Sequence, residues 1–199
     1  MATTFFLVRH AAHDRVNRVL CGRMPNVVLG ALGHAQARSL AERLSRESIS
    51  AIYSSPLERA QETAAPIAER IGVAPRIADA LNEIDFGEWS GRAFDDLDGD
   101  RQWSVWNAAR GITRPPGGEM MVQAQARALA FLEHAHNAHP ESGVVLVSHC
   151  DVIKAMLLHC LGLGLDGYQR LEVSPASIST VVVGPWGAKI LSINEVVAP

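Results

Sequence analysis

Two short apolar runs constrain this chain more than any other feature. Phe5-Phe6-Leu7-Val8 and Val144-Val145-Leu146-Val147 carry no polar residue on either face. A strand that is apolar on both faces belongs inside a sheet covered by helices on both sides. Each run stops close to a histidine: Arg9-His10 follows the first, Ser148-His149 the second. Open α/β sheets place ligands outside the carboxyl ends of their strands. If the two runs are neighbours, both imidazoles reach one edge of the sheet.

The rest of the chain alternates helix with strand. Residues 33–46 set Ala37, Leu40, Ala41 and Leu44 at helical spacing. Ile52-Tyr53-Ser54 reads as a second short strand. Ser55-Pro56 then opens a helix, with Ser55 as N-cap and Pro56 at the first helical position. Its apolar line runs through Leu57, Ala60, Ala64, Ile67, Ala68 and Ile71, and Gly72 follows as C-cap. Pro66 sits inside that pattern and argues against a straight helix. Residues 81–118 hold three of the four Trp and end in Pro115-Pro116-Gly117-Gly118. This stretch is too long for a connector and is expected to form a lobe or flap over the active site. Helices are expected near 119–136 and 151–161, and strands near 180–183 and 189–193. The expectation is one domain over 1–199, of class α/β with a mostly parallel sheet.

Charge and cysteine content narrow the function. The net charge of −3, from 18 Lys+Arg against 21 Asp+Glu, argues against nucleic-acid binding. It leaves room for a locally cationic pocket. Cys21, Cys150 and Cys160 include no C-x-x-C pair, so neither a zinc site nor a redox pair is expected. No stretch approaches a transmembrane span, and no basic region leads into a long apolar run, so neither membrane nor signal peptide is expected. A cytoplasmic protein is the default, and a homodimer is the base-rate oligomer.

Arg9 lies beside His10, and Arg59 lies one turn into the helix after Ile52–Ser54. Taken singly, each of these has an ordinary structural reading: a satisfied His after a strand, a solvated Arg early in a helix. Together, two Arg and two His on one sheet edge make a cationic pocket. Guanidinium forks match phosphate oxygens, and an imidazole can carry a phosphoryl group covalently.

Longer blocks carry a resemblance. Leu7-Val8-Arg9-His10-Ala11 resembles the L-V-R-H-G/A signature of the histidine phosphatase superfamily, the phosphoglycerate-mutase-like proteins. Asn17 stands where that family often has a phosphate-contacting Asn. Ser54-Ser55-Pro56-Leu57-Glu58-Arg59-Ala60 resembles its S-S-x-L-x-R-A helix start. Leu81-Asn82-Glu83 through Phe86-Gly87-Glu88-Trp89-Ser90-Gly91 resembles its L-x-E-x-x-F-G-x-W-x-G segment. Pro116-Gly117-Gly118-Glu119 resembles its P-G-G-E turn, and Val147-Ser148-His149 its V-S-H-G strand end. The blocks run in family order from residue 5 to about 151.

The resemblance implies a three-layer α/β/α phosphoglycerate-mutase-like fold and a phosphoric monoester hydrolase of the histidine acid phosphatase type. Its substrate would be a small phosphorylated metabolite, with no cofactor and no metal. His10 would be the nucleophile and Glu83 the acid and base. Arg9, Asn17, Arg59 and a protonated His149 would hold the phosphoryl oxygens. The backbone N–H of Cys150 would be a further donor. Two alternatives stand beside this: a cofactor-dependent phosphoglycerate mutase, and a non-catalytic phosphate-binding module on the same fold.

The chain departs from the family at three positions. Ala12 and His13 replace a Glu-Thr pair, and Cys150 replaces a Gly. His13 is expected at the surface. Substrate selectivity is expected from residues 90–118 and from the surroundings of these three.

Other patterns are read as structural. Gly162-Leu163-Gly164-Leu165-Asp166-Gly167 follows a helix rather than a strand, so it reads as a helix end and turn, not a dinucleotide fingerprint. His134, His136 and His139 read as a solvated helix end. The Asp cluster at 95, 96, 98 and 100 lacks the Gly and Glu of a calcium loop and reads as an acidic face or helix start.

Overall fold

The computed structural model describes residues 1–198. Its sheet has the order β3-β2-β4-β1-β5-β6. The strands are β1 (Thr3–Arg9), β2 (Ile49–Ser54), β3 (Pro75–Ile77), β4 (Gly143–Ser148), β5 (Ser177–Gly184) and β6 (Gly187–Val196). The apolar runs at 5–8 and 144–147 are the central neighbours β1 and β4, paired in parallel with Val8 opposite Val147. β2 and β3 continue the parallel half, whereas β5 and β6 add antiparallel strands. The sheet is therefore mixed, parallel where the site lies. β3 was not legible: it is a three-residue exposed edge strand that starts with Pro, a residue tolerated only at such positions.

Alternation along β1 sorts its side chains between two cores. Phe5 and Leu7 pack with α5 (Met121–Ala138) and α6 (Cys150–Cys160), through Ala128, Leu132, Ile153 and Leu157. Phe6 and Val8 pack with α1 (Ala31–Leu44) and α2 (Glu58–Ile71), through Leu40, Leu44, Ala64 and Ile67. These two faces make the three layers. A third core lies under residues 81–118, which include α3 (Phe94–Asp98) and α4 (Arg101–Ala108). There Phe86, Trp89, Leu97, Trp103 and Trp106 pack against Met121 of α5 and Leu158 of α6. The tryptophans thus serve as core, which joins this lobe to the helical layer.

Local sequence explains the element ends. Gly72 closes α2 in the left-handed conformation, φ 80°, as its position suggested. Pro66 is accommodated inside α2. The start of α2 differs from expectation: the helix begins at Glu58, Leu57 is its N-cap, and no side chain caps it. Ser55 is committed elsewhere. Asp100 caps α4 through the Gln102 and Trp103 amides and pairs with Arg92. The glycine-rich 162–167 segment differs in part from expectation: a turn after α6, with Gly162 at φ 68°, leads into a 3-10 helix at Leu165–Arg170. Of the three histidines at the end of α5, His134 is exposed as expected, whereas His136 and His139 are half-buried and bond the Thr3 and Tyr53 hydroxyls. No helix among the described residues is long and apolar enough to cross a membrane.

Candidate active site

His10 leaves the end of β1 with its amide bonded to the Ser148 carbonyl at 2.9 Å. The register of β1 and β4 thereby sets His10 beside His149, with ring centroids 5.1 Å apart. The Nδ1 of His10 lies 2.9 Å from the Ala11 carbonyl. A carbonyl only accepts, so Nδ1 carries the proton and Nε2 keeps its lone pair. Burial, then Arg59 and Arg9, push the His10 pKa well below its ordinary value. The ring is therefore a neutral imidazole with a free nitrogen at neutral pH. The loop after it is pinned by the Thr63 hydroxyl, which accepts from the Ala11 amide and donates to the Arg59 carbonyl.

Arg59 sits in the first turn of α2 and is 2% exposed. Its Nη2 donates to the Gly22 carbonyl at 2.7 Å and to His149 Nδ1 at 3.2 Å. Its Nε and Nη1 are buried and have no partner among the described residues. Arg9 is similar: Nη1 bonds the Val173 carbonyl, while a buried Nε is unpaired. Buried donors of this kind are costly unless an acceptor meets them. Two adjacent guanidinium groups with unmet donors fit a tetrahedral oxyanion.

His149 is fully buried at the N-terminal end of α6. Its Nδ1 accepts from Arg59, so Nε2 carries the proton and donates to the Ser55 hydroxyl at 2.7 Å. Burial and Arg59 push its pKa well below the ordinary value. In this arrangement the ring is neutral, buried and with Arg59 at Nδ1, whereas the resemblance implied a protonated His149 around the phosphoryl oxygens. Ser55, read from sequence as a helix cap, is its orienting partner.

Glu83 lies between the sheet and the lobe. One carboxylate oxygen accepts from the Ile84 amide at 2.9 Å, and the other lies 4.0 Å from His149 Nδ1. Burial first, and Asp151 second, raise its pKa to about 8. Glu83 and His149 face each other as neutral groups rather than as an ion pair. The Glu83 carbonyl is gripped by Arg23 at 2.7 Å and Arg127 at 3.2 Å. Both arginines are anchored on Glu119. Glu119 follows the Pro116-Gly117-Gly118 turn, which packs backbone to backbone on residues 85–88. A Cβ on Gly118 would lie 2.3 Å from the Asp85 carbonyl oxygen.

Arg9, His10, Arg59 and Glu83 line one small cleft of about 100 Å³, and His149 is buried against His10 and Arg59 rather than on its wall. Asn17 is at its mouth, in the left-handed region at φ 59°. Cys150 is half-buried on its wall, and burial raises its thiol pKa. Sequence reasoning put His13 at the surface; instead it is buried and stacks on His10 at 5.4 Å with a 23° interplanar angle. Burial and Arg59 lower its pKa to about 4. It was misplaced because nothing local shows that the chain turns back over the β1 end. Ser55, Thr63 and Asp151 were also missed. A wider groove between α1 and α2, with Arg38 and an Arg70–Glu42 ion pair, offers neither a nucleophile nor a buried cation.

The cleft can hold a small oxyanion against a neutral imidazole, with a protonated carboxyl within reach of His149. Comparison with known proteins agrees. The model of the histidine phosphatase superfamily (branch 1) matches residues 5–196. Phosphoserine phosphatase 1 of Hydrogenobacter thermophilus is 33% identical, over 94% of this chain and 90% of that one. A 2,3-bisphosphoglycerate-dependent phosphoglycerate mutase of Mesorhizobium japonicum is 30% identical, over 92% and 90%. The structure of mycobacterial glucosyl-3-phosphoglycerate phosphatase superimposes with a TM-score of 0.88 at 26% identity, covering 98% of this chain and 100% of that one. With this match spanning almost the whole chain, its R-H, S-S-x-L-x-R and V-S-H blocks converging on one cleft, the protein belongs to the histidine phosphatase superfamily, branch 1.

Proposed function

We propose that the chain is a phosphomonoesterase that hydrolyses a small phosphorylated metabolite through a phosphohistidine on His10. The observation that carries this reading is Arg59: a nearly fully buried guanidinium with two unpaired nitrogens lines the same cleft as His10. Relatives named as phosphatases support it.

The steps follow from the protonation states. His10 Nε2 attacks phosphorus while the bond from phosphorus to the leaving oxygen breaks. Glu83 gives its proton to that oxygen, so an alcohol departs. The ionised Glu83 then takes a proton from water, whose oxygen attacks phosphorus as the P–N bond breaks. Hydrogen phosphate leaves, and His10 and Glu83 return to their starting states. Arg9 and Arg59 hold the phosphoryl oxygens, with Asn17 and the Cys150 amide at the rim. A bound dianion draws the Arg59 Nη2 away from His149 Nδ1 and supplies the charge that lets that nitrogen take a proton. Preorganised donors of this kind carry most of the catalysis in phosphoryl transfer. Residues 81–118 bring Glu83 to the cleft and act as the lobe over it.

Phosphoserine, glucosyl-3-phosphoglycerate and phosphoglycerates all appear in relatives' names, so they head the substrate panel. The test is phosphate release from that panel, with EDTA present, by wild type and His10→Ala. Turnover lost in the variant supports the reading. Turnover retained overturns it. The mutase relative favours a second reading, transfer of the phosphoryl group back to a phosphoglycerate. Isomer interconversion with a bisphosphoglycerate primer, without phosphate release, would establish that instead.

A further inference from the structure

Asp151 lies on the cleft wall beside Cys150, in the first turn of α6. Its side chain is 12% exposed, and Arg110 takes one oxygen, Oδ1, at 2.5 Å. Arg110 comes from the lobe, just past α4, and is itself buried. Its guanidinium lies over the Tyr168 ring at 3.6 Å and donates to Asn107 at 2.7 Å. The Asp151 carboxylate is thus held in one orientation from outside the cleft, and only one of its two oxygens is spent there.

The charges in the cleft are segregated. Arg9 and Arg59 surround the phosphoryl position. Of the two carboxyl groups on the wall, Glu83 is the one held neutral. Asp151, paired with Arg110, is the other carboxyl group on that wall. Its field reaches Glu83, being the second contribution after burial to that residue's raised pKa. Once a phosphate dianion occupies the arginines, a positive donor on the leaving group finds its counter-charge at Asp151. A carboxylate at the same place meets repulsion.

We propose that Asp151 is a specificity-determining residue, whose free oxygen receives an ammonium carried by the alcohol portion of the substrate. The inference rests on the phosphate reading of the cleft and extends it to the substrate class: phosphomonoesters of amino alcohols.

The experiment measures binding rather than turnover, so it does not depend on the hydrolytic steps. 3-Aminopropylphosphonate and butylphosphonate differ by an ammonium in place of a methyl, and neither can be hydrolysed. Calorimetry on the wild-type protein is expected to show the amine binding at least about tenfold more tightly, about 1.4 kcal/mol. Asp151→Asn keeps an oxygen for Arg110 and removes the charge, so the ratio of the two Kd values is expected to fall to about one. Equal Kd values in the wild type, or a preference that survives Asp151→Asn, overturn the proposal. Inorganic phosphate is the control: if it binds while the amine preference is absent, this inference fails alone. If phosphate does not bind, the anion reading fails with it.

Discussion

Arg59 and His149 share a hydrogen bond, Nη2 to Nδ1 at 3.2 Å, at a point where neither is exposed to solvent. Burial and that contact hold the imidazole neutral, and two further Arg59 nitrogens have no partner among the described residues. The arrangement is unfavourable for folding and favourable for an incoming dianion. Arg59→Met should therefore leave stability unchanged or raised, because an apolar residue of similar volume removes a buried, partly unmet charge. The same change should lower kcat/KM by roughly 10²–10³-fold, the scale of losing a transition-state donor. Thermal unfolding beside steady-state kinetics checks both halves.

The pH dependence follows from His10 and Glu83. Catalysis needs His10 neutral and Glu83 protonated. His10 sits well below its usual range, so it imposes no loss near neutrality. Glu83, at about 8, ionises above that pH. The expected kcat/KM profile for an alkyl phosphate is high on the acid side of 8 and falls about tenfold per unit above it. A basic limb near pH 5 would contradict this.

Stability should show the same group with the sign worked out. Glu83 holds its proton in the folded state up to about 8, whereas the unfolded carboxyl ionises near its ordinary 4.5. Between those values the folded protein binds the extra proton, so stability falls as pH rises through the window. Denaturant titrations from pH 7 to 8, above the range in which the unfolded histidines titrate, should show that slope, and Glu83→Gln should flatten it.

Glu119 acts through two arginines on the Glu83 carbonyl. Glu119→Ala frees both. The expected outcome is a kcat roughly tenfold lower with KM little changed, since a small misplacement of the acid affects chemistry before binding. Arg127→Ala should reproduce part of the loss, and a KM effect equal to the kcat effect would argue against the positioning role.

Ser55→Ala removes the partner of His149 Nε2 and leaves a buried N–H unmet. A loss of about 1–3 kcal/mol in unfolding free energy is expected. If Ser55 acted mainly as a helix cap, the loss would appear as local exchange of the first α2 amides without a change in activity.

Much of this was legible in the residues. The two-faced apolar runs identified the central parallel pair, and the residues that end them, His10 and His149, met as the strand register requires. Arg59 was readable from its place one turn into a helix. The illegible parts share a cause: their partners are distant in sequence. Ser55 looks like a cap until His149, 94 residues away, takes its hydroxyl. Asp151 has no local signature, because Arg110 reaches it across 41 residues. His136 and His139 look solvated until Thr3 and Tyr53 meet them. His13 needed the path of the loop after β1, which no periodicity encodes.

The most direct test of the account is the site of phosphorylation during turnover. In Glu83→Gln with p-nitrophenyl phosphate, the leaving group needs no acid, but hydrolysis of the intermediate lacks its base. Alkaline quench and peptide mass spectrometry should then find phosphate on His10, accompanied by a stoichiometric burst of p-nitrophenol. Turnover by the wild type with no burst in this variant, or with phosphate on any other residue, would contradict the assignment of His10 as the nucleophile.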